Sequence, residues 1–346
     1  MSLRLAGGGR APGNREVSRL FLLAARGDLS GAGGEATSRE GERSDQKGAD
    51  GLILVTGGTG FVGGHVVHEL RGRDLPVRCL VRDLRTAAKP AAWGCELAEG
   101  DVTDSESLRA AVAGADTVIH LVAIRQGRRE QFQRIMVEGT RDLLAAAQDA
   151  GVRRFVHMSA LGTSEETKDL VPYYGAKWEN EQQVQASGIP FVIFRPSFVF
   201  GPGGGILPTF VKLARLTPVT PIIGSGRQRI QPIWADDLAK YFAEAVGRDD
   251  VVGRVFELGG PDVVSWNEFW ERLKRVRGIH RSSIHIPVGL MKVNAFLTER
   301  LPGNVPLTRD LLKMLEHGDN VVSDQAALST FQLPLLPVDD QLRRAA

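Results

Sequence analysis

Tyr173 and Lys177 form a Y-x-x-x-K pattern, and a helix stacks side chains at that spacing on one face, a single turn apart. That juxtaposition is chemistry-bearing. A phenol with an ordinary pKa of ~10 exchanges protons poorly near neutrality, and a neighbouring ammonium favours its ionised form. Such a phenol can trade a proton with a substrate oxygen while hydride moves at the attached carbon, general acid–base help being worth about 10²–10⁴ in rate. Ser159 closes the apolar run Phe155-Val156-His157-Met158, at the carboxyl end of an expected strand, where it can orient a carbonyl or a hydroxyl.

A second constellation lies upstream in Val55-Thr56-Gly57-Gly58-Thr59-Gly60-Phe61-Val62-Gly63, a glycine-spaced turn after a β-branched run and before an amphipathic stretch. Gly57 suits the tight turn, Gly60 lets backbone approach a pyrophosphate, and Gly63 permits close helix–strand packing. The helix that opens at Phe61 and Val62 offers free N–H groups and a positive dipole end to phosphate. The spacing is G-x-x-G-x-x-G rather than the G-x-G-x-x-G of ordinary dinucleotide-binding dehydrogenases. Specificity is read after the next strand, in Leu80-Val81-Arg82-Asp83. Arginine there accommodates the 2′-phosphate of NADP, whereas an acid pairs with the ribose hydroxyls of NAD. Arg82 comes first and favours NADP(H), with NAD(H) as the alternative.

These groups need a sheet to hold them. From Leu52 onward, strand-like runs at Val77–Val81, Glu96–Ala98, Thr117–Val122, Phe155–Met158 and Phe191–Phe194 alternate with helical patterns. The helices are expected at Val62–Arg71, Ser105–Ala113, Arg128–Ala150, Tyr173–Ser187 and Ala235–Val246. Such βαβ repetition predicts an α/β Rossmann architecture, a doubly wound parallel sheet over residues 50–200. After Gly201-Pro202-Gly203-Gly204-Gly205 the alternation stops, and 201–346 is expected to be a small mixed substrate-binding region interleaved with that core. Leu290, Val293, Phe296, Leu297 and Leu301 recur at helical spacing and are expected to pack in a core, with a lipid-facing or lid surface as the alternative.

Composition narrows the function classes. With 346 residues and a net charge of +2, the chain has no concentrated basic stripe, and nucleic acid is not an expected partner. Arg125, Arg128, Arg129 and Arg134 read as a solvated loop and helix face. Cys79 and Cys95 are the only cysteines and read as reduced core thiols, which fits a cytoplasmic protein. Peripheral contact with the inner face of the membrane is the alternative location, since no apolar run approaches the ~18 residues of a bilayer span. Residues 1–49 are rich in Gly, Arg, Ser and Glu without apolar periodicity. They read as a disordered extension or an over-called translation start. His65 and His68 are too few for a metal site and none is expected, while His120 and His157 read as hydrogen-bonded core residues.

Taken together, the motifs resemble the short-chain dehydrogenase/reductase superfamily in its extended or atypical, epimerase/dehydratase-like branch. The resemblance runs from about Gly51 to Gly260, through T-G-G-T-G-F-V-G (56–63), G-D-V-T-D (100–104), V-E-G-T-R (137–141), P-Y-Y-G-A-K (172–177) and R-P-S-F-V-F-G-P (195–202). The stretches G-S-G-R-Q-R-I-Q-P-I-W-A-D-D-L-A (224–239) and P-L-T-R-D-L-L-K-M-L (306–315) are similar to bacterial relatives of the accessory Rossmann subunit of mitochondrial complex I.

The resemblance implies an NAD(P)-dependent oxidoreductase in which Ser159, Tyr173 and Lys177 act together and Lys177 also holds the nicotinamide ribose. It places Asp101 and Val102 near the adenine, and adds Leu121, Ala123, Pro196 and Ser197 to the cofactor contacts. A nucleotide-sugar epimerase or dehydratase is the competing enzymatic reading, with Arg227 or Arg229 meeting the diphosphate. Many family members carry Asn just before V-x-G-T, where this chain has Met136. Methionine cannot supply that amide. This keeps open a third reading, a non-catalytic NADPH-binding module linked to a respiratory complex or to quinone function. The substrate is a small molecule on the enzymatic readings, and its identity is not readable from the sequence.

Overall fold

The computed structural model describes residues 51–298 and 308–344, so the reading of residues 1–49 lies outside it. Seven strands form one parallel sheet: β1 (Leu52–Thr56), β2 (Val77–Val81), β3 (Glu96–Glu99), β4 (Ala115–His120), β5 (Arg154–Met158), β6 (Phe191–Pro196) and β7 (Arg254–Leu258). Their order, β3-β2-β1-β4-β5-β6-β7, reverses between β1 and β4. That reversal makes the crevice in which doubly wound sheets bind ligands.

Helices cover both faces because the strands are apolar on both. Ile53 and Val55 pack with Val66 and Leu70 of α1 (Phe61–Gly72), whereas Leu54 packs the opposite way, with Leu108 of α2 (Ser105–Val112), Leu143 and Phe155. The period-two alternation of a strand sends neighbours to opposite layers, and each layer here is built of buried apolar side chains. On the α2 side lie α3 (129–149) and α4 (Pro172–Ala186), the latter through Val184. The α1 side also holds α6 (Ala235–Gly247), through Leu238 and Phe242; α5 (Leu207–Leu216) belongs to the region beyond β6.

Three expectations change. The single helix expected over Arg128–Ala150 is instead Arg129–Phe132, a π-helical turn Gln133–Glu138, and Gly139–Asp149, together α3. One extra residue in a turn leaves the spacing of apolar positions nearly intact, so periodicity cannot register it. The alternation does not end at Gly201, because β7 returns to pair with β6 at the sheet's edge. Leu290 and Val293 are exposed rather than packed, and the side chains of Phe296 and Leu297, with Leu301, lie outside the described residues.

The remainder builds a separate apolar cluster from Phe200, Leu207, Trp234, Phe269 and Leu342, around α5 and α7 (Trp266–Arg277). Among the described residues no helix is long and apolar enough to cross a membrane.

Candidate active site

The glycine turn is built as a phosphate cradle. Gly57 has φ +78° and accepts a hydrogen bond from the Gly60 amide at 3.0 Å. A Cβ on Gly63 would stand 2.1 Å from the Gly57 oxygen, so α1 can seat against the turn only with glycine there. A Cβ on Gly60 would meet nothing nearer than that same oxygen, at 3.1 Å, which leaves its outer side open to a ligand. The N-cap Gly60 supplies no side-chain cap, and the first turn of α1 has no acid. Its amides and dipole are therefore uncompensated, as an anion site requires. Gly57 also abuts β4's end, for its Cβ would come within 3.1 Å of the Leu121 carbonyl carbon.

The other expected cofactor residues divide. Phe61 and Val62 begin α1 half-buried, and the Phe61 ring lies under the loop after β6, where a Cβ on Gly204 would approach it to 2.5 Å. Arg82 is exposed just beyond β2. Asp83 accepts from the Arg85 amide at 2.9 Å and binds the Arg85 guanidinium at 2.8 Å, so its carboxylate is engaged. The Asp101 carboxylate accepts from the Thr103 amide and hydroxyl (2.9 and 2.8 Å), while Val102 and Leu121 are buried and Ala123 is half-buried. Pro196 ends β6 buried. Ser197 donates its hydroxyl to Asn320 Oδ1 at 2.6 Å, so its side chain holds the C-terminal segment instead of facing the crevice. Arg229 pairs with Asp319 at 2.7 Å, whereas Arg227 is exposed.

Ser159, Tyr173 and Lys177 come together at the carboxyl ends of β4 to β6. The Lys177 ammonium is fully buried, donates to the carbonyl of Met158, next to Ser159, and sits 6.0 Å from the Tyr173 ring centre. Ser159 is 2% exposed, and its hydroxyl has no partner among the described residues. Tyr174, the neighbouring phenol, is 5% exposed and contacts the Leu161 carbonyl at 3.4 Å, which leaves half-buried Tyr173 as the phenol free to meet a substrate.

The electrostatics correct one expectation. Lys177 is pushed down to about 8 by burial, partly opposed by Glu181. Tyr173 is not drawn toward its ionised form: burial pushes the phenol up, Tyr174 adds to this, and the Arg125 guanidinium opposes it. Lys177 turns its charge to the Met158 carbonyl, and a half-buried phenol at that separation keeps its proton.

Beneath this trio lies a polar layer that the motifs did not announce. Thr56 meets His120 Nδ1 at 2.6 Å, His120 Nε2 meets the Thr140 hydroxyl at 3.0 Å, and Thr140 reaches the Met136 carbonyl at 2.6 Å. His120 is pushed down to about 3 by burial and by the Lys177 charge, so it is a neutral link. His157 stacks on it at 5.5 Å, but neither His157 nitrogen has a partner among the described residues, contrary to its reading as a hydrogen-bonded residue. Asn180 and Glu181, both fully buried, follow Lys177 on α4. Their signal was available: polar residues three and four positions after a buried lysine share its helix face.

His65 and His68 are engaged elsewhere, His65 with Asp236 at 2.5 Å and the Pro202 carbonyl at 3.2 Å, His68 against the Trp93 ring at 5.1 Å. Cys79 is buried and Cys95 half-buried, both as free thiols.

Comparison with known proteins follows the same outline. The model of the NAD dependent epimerase/dehydratase family matches residues 53–259. The chain is 30% identical over 260 residues to NADH dehydrogenase (ubiquinone) 1 alpha subcomplex subunit 9, mitochondrial, of Mus musculus, covering 72% of this chain and 67% of that protein. It is 31% identical over 245 residues to the ceramide reductase of Caulobacter vibrioides (69% and 74% covered). Triphenylmethane reductase of Citrobacter sp., solved with NADP(H), superposes with a TM-score of 0.68 at 19% identity, over 85% of this chain and all of that one (100%). The chain therefore belongs to the NAD-dependent epimerase/dehydratase family, an NAD(P)-binding group of oxidoreductases and epimerases.

Proposed function

We propose that this protein reduces a carbonyl group on a small molecule using NADPH, with Tyr173 as the proton donor, Ser159 as the orienting hydroxyl and Lys177 as the ribose-binding cation. The carrying observation is geometric: the buried Lys177 ammonium donates to the Met158 carbonyl, next to the Ser159 hydroxyl, and lies 6.0 Å from the ring of Tyr173, whose phenol keeps its proton near neutrality and can give it to a substrate oxygen.

The uncapped start of α1 and the open side of Gly60 fit a pyrophosphate, and Arg82 fits a 2′-phosphate with Asp83 already turned to Arg85. When bound, the nicotinamide supplies hydride. Ser159, buried and unpartnered, donates to the substrate oxygen and Tyr173 delivers the proton to it. Lys177, at the Met158 carbonyl, keeps positive charge beneath the site. A ceramide reductase among the relatives supports reduction as the direction.

Likeness to a respiratory-complex subunit supports a second reading, in which NADPH is held within an assembly without turnover. One experiment separates the two. Purified protein is titrated with NADPH and NADH by fluorescence, then given quinone, aldehyde, ketone and sugar-nucleotide panels, with Tyr173→Phe alongside. Turnover on a carbonyl panel that Tyr173→Phe abolishes, with NADPH affinity within about twofold, is expected of the reductase. Tight binding with no oxidation on any panel, or turnover that survives Tyr173→Phe, overturns it.

A further inference from the structure

Position 136 carries methionine where many relatives of this type carry the asparagine that orders the active-site helix, and the structure shows where an amide is found instead. Met136 turns its side chain into an apolar wall with Phe132, Val137 and Ala176, against which Tyr173 packs. Its backbone carbonyl also meets α4, one turn further along. There Asn180 is fully buried, and with its amide oriented to satisfy its neighbours Nδ2 donates to the carbonyls of Met136 and Ala176, each at 3.1 Å. Its Oδ1 is 3.0 Å from the Thr140 hydroxyl.

These bonds run in one sense. Thr140 has a single hydroxyl proton, which goes to the Met136 carbonyl or to Asn180 Oδ1, so neutral His120 donates its Nε2–H to Thr140, Thr56 donates to His120 Nδ1, and Asn180 ends the chain on two carbonyls. The chain joins the last residue of β1, next to Gly57, to the helix that carries Lys177, and aligned bonds of this kind reinforce one another. The π-helical turn Gln133–Glu138 is the part of α3 that brings the Met136 carbonyl within reach.

We infer that Asn180 is a positioning residue for the proposed reduction: from α4 it performs the amide's work that position 136 cannot, fixing Lys177 and Tyr173 relative to the glycine turn. This rests on the roles proposed above for Tyr173 and Lys177.

The test compares wild type with Asn180→Leu, Asn180→Asp and the exchange Met136→Asn/Asn180→Leu. For Asn180→Leu the expected result is kcat reduced about tenfold or more with NADPH affinity within about twofold. The midpoint of the pH–rate profile moves upward, because Lys177 displaced from its buried seat at the Met158 carbonyl loses part of the burial that holds its ammonium down. The exchange restores at least part of kcat and returns the midpoint. An unchanged kcat and midpoint in folded Asn180→Leu overturns the inference, as does a loss that the exchange leaves untouched. If Asn180→Leu does not fold, Asn180→Asp is read by the same criteria. Tyr173→Phe keeps the two proposals apart: should it retain turnover, the reading of the site has failed, whatever Asn180 does.

Discussion

The Glu181 carboxylate, buried on α4, accepts two parallel hydrogen bonds from Arg195 at the end of β6, Nε to Oε1 at 2.9 Å and Nη2 to Oε2 at 2.6 Å. Glu181 has no exposed side-chain surface and Arg195 keeps 19%. The pair clamps the helix bearing Tyr173 and Lys177 to the strand whose end faces the crevice. Removing one partner strands a buried charge, at a cost of about 3–5 kcal/mol, whereas an apolar pair of similar volume is often near neutral. Arg195→Met is therefore expected to lower unfolding free energy by about that amount in urea titration, and Arg195→Met/Glu181→Leu to recover much of it. Additive losses in the double variant would show that the two residues act separately.

What was legible in the sequence was local. The G-x-x-G-x-x-G turn and Y-x-x-x-K depend on neighbours within one or two turns, most of β1 to β6 are apolar runs that can be read alone, and β3, half polar, was read from its place in the alternation. What escaped reading depends on partners far along the chain. Nothing near Arg254–Leu258 says that it pairs with β6, because the long segment holding α5 and α6 separates the two strands. The Met136 carbonyl is invisible to side-chain reasoning until α4 brings Asn180 to it. Spacing predicted that Lys177 faces Tyr173, but not that the ammonium spends its hydrogen bond on Met158, nor that burial pushes the phenol up.

On the proposed function, Lys177 sets a pH limit on turnover. Its ammonium is pushed down to about 8 by burial, so it is charged below that pH and loses its charge as pH rises through it. If reduction needs the charged form, kcat/KM is level below about 8 and falls tenfold per pH unit above it. In Lys177→Arg the guanidinium stays charged over this range, and the residual activity is expected to lose the descending limb. A limb unchanged in that variant would assign it to another group.

On the proposed function Arg82 selects the cofactor: it is exposed beside the end of β2 while Asp83 is held by Arg85, which leaves the guanidinium rather than the carboxylate to meet the ribose side of a bound dinucleotide. A charge-assisted hydrogen bond to phosphate is worth about 1.5–3 kcal/mol, or roughly tenfold and more in affinity. Arg82→Ala is expected to weaken NADPH by about tenfold or more and NADH by less than twofold, by fluorescence titration. Equal losses for both would remove Arg82 from the phosphate.

His65 makes the loop after β6 sensitive to pH. From α1, beside the glycine turn, it pairs through Nδ1 with Asp236 at the start of α6 and donates from Nε2 to the Pro202 carbonyl. The Asp236 hydrogen bond raises the imidazole above its ordinary 6.5, against the opposing effect of burial, and His65 in turn holds Asp236 below its ordinary 3.8. The raised histidine contributes stability that is full below about 6.5 and is lost as pH rises through its folded pKa. The depressed aspartate contributes above about 3.8 and loses that as pH falls through its own folded pKa. Their joint contribution is therefore greatest between about pH 4 and 6.5. Asp236 is 54% exposed, so solvent screening keeps the effect below about 1 kcal/mol. The melting-temperature gap between wild type and His65→Leu is expected to be wider at about pH 5.5 than at about pH 8.5, and to narrow with added salt. A gap equal at both pH values would mean that His65 acts through packing against Phe61, whose ring it meets edge-on at 5.6 Å, and not through its charge.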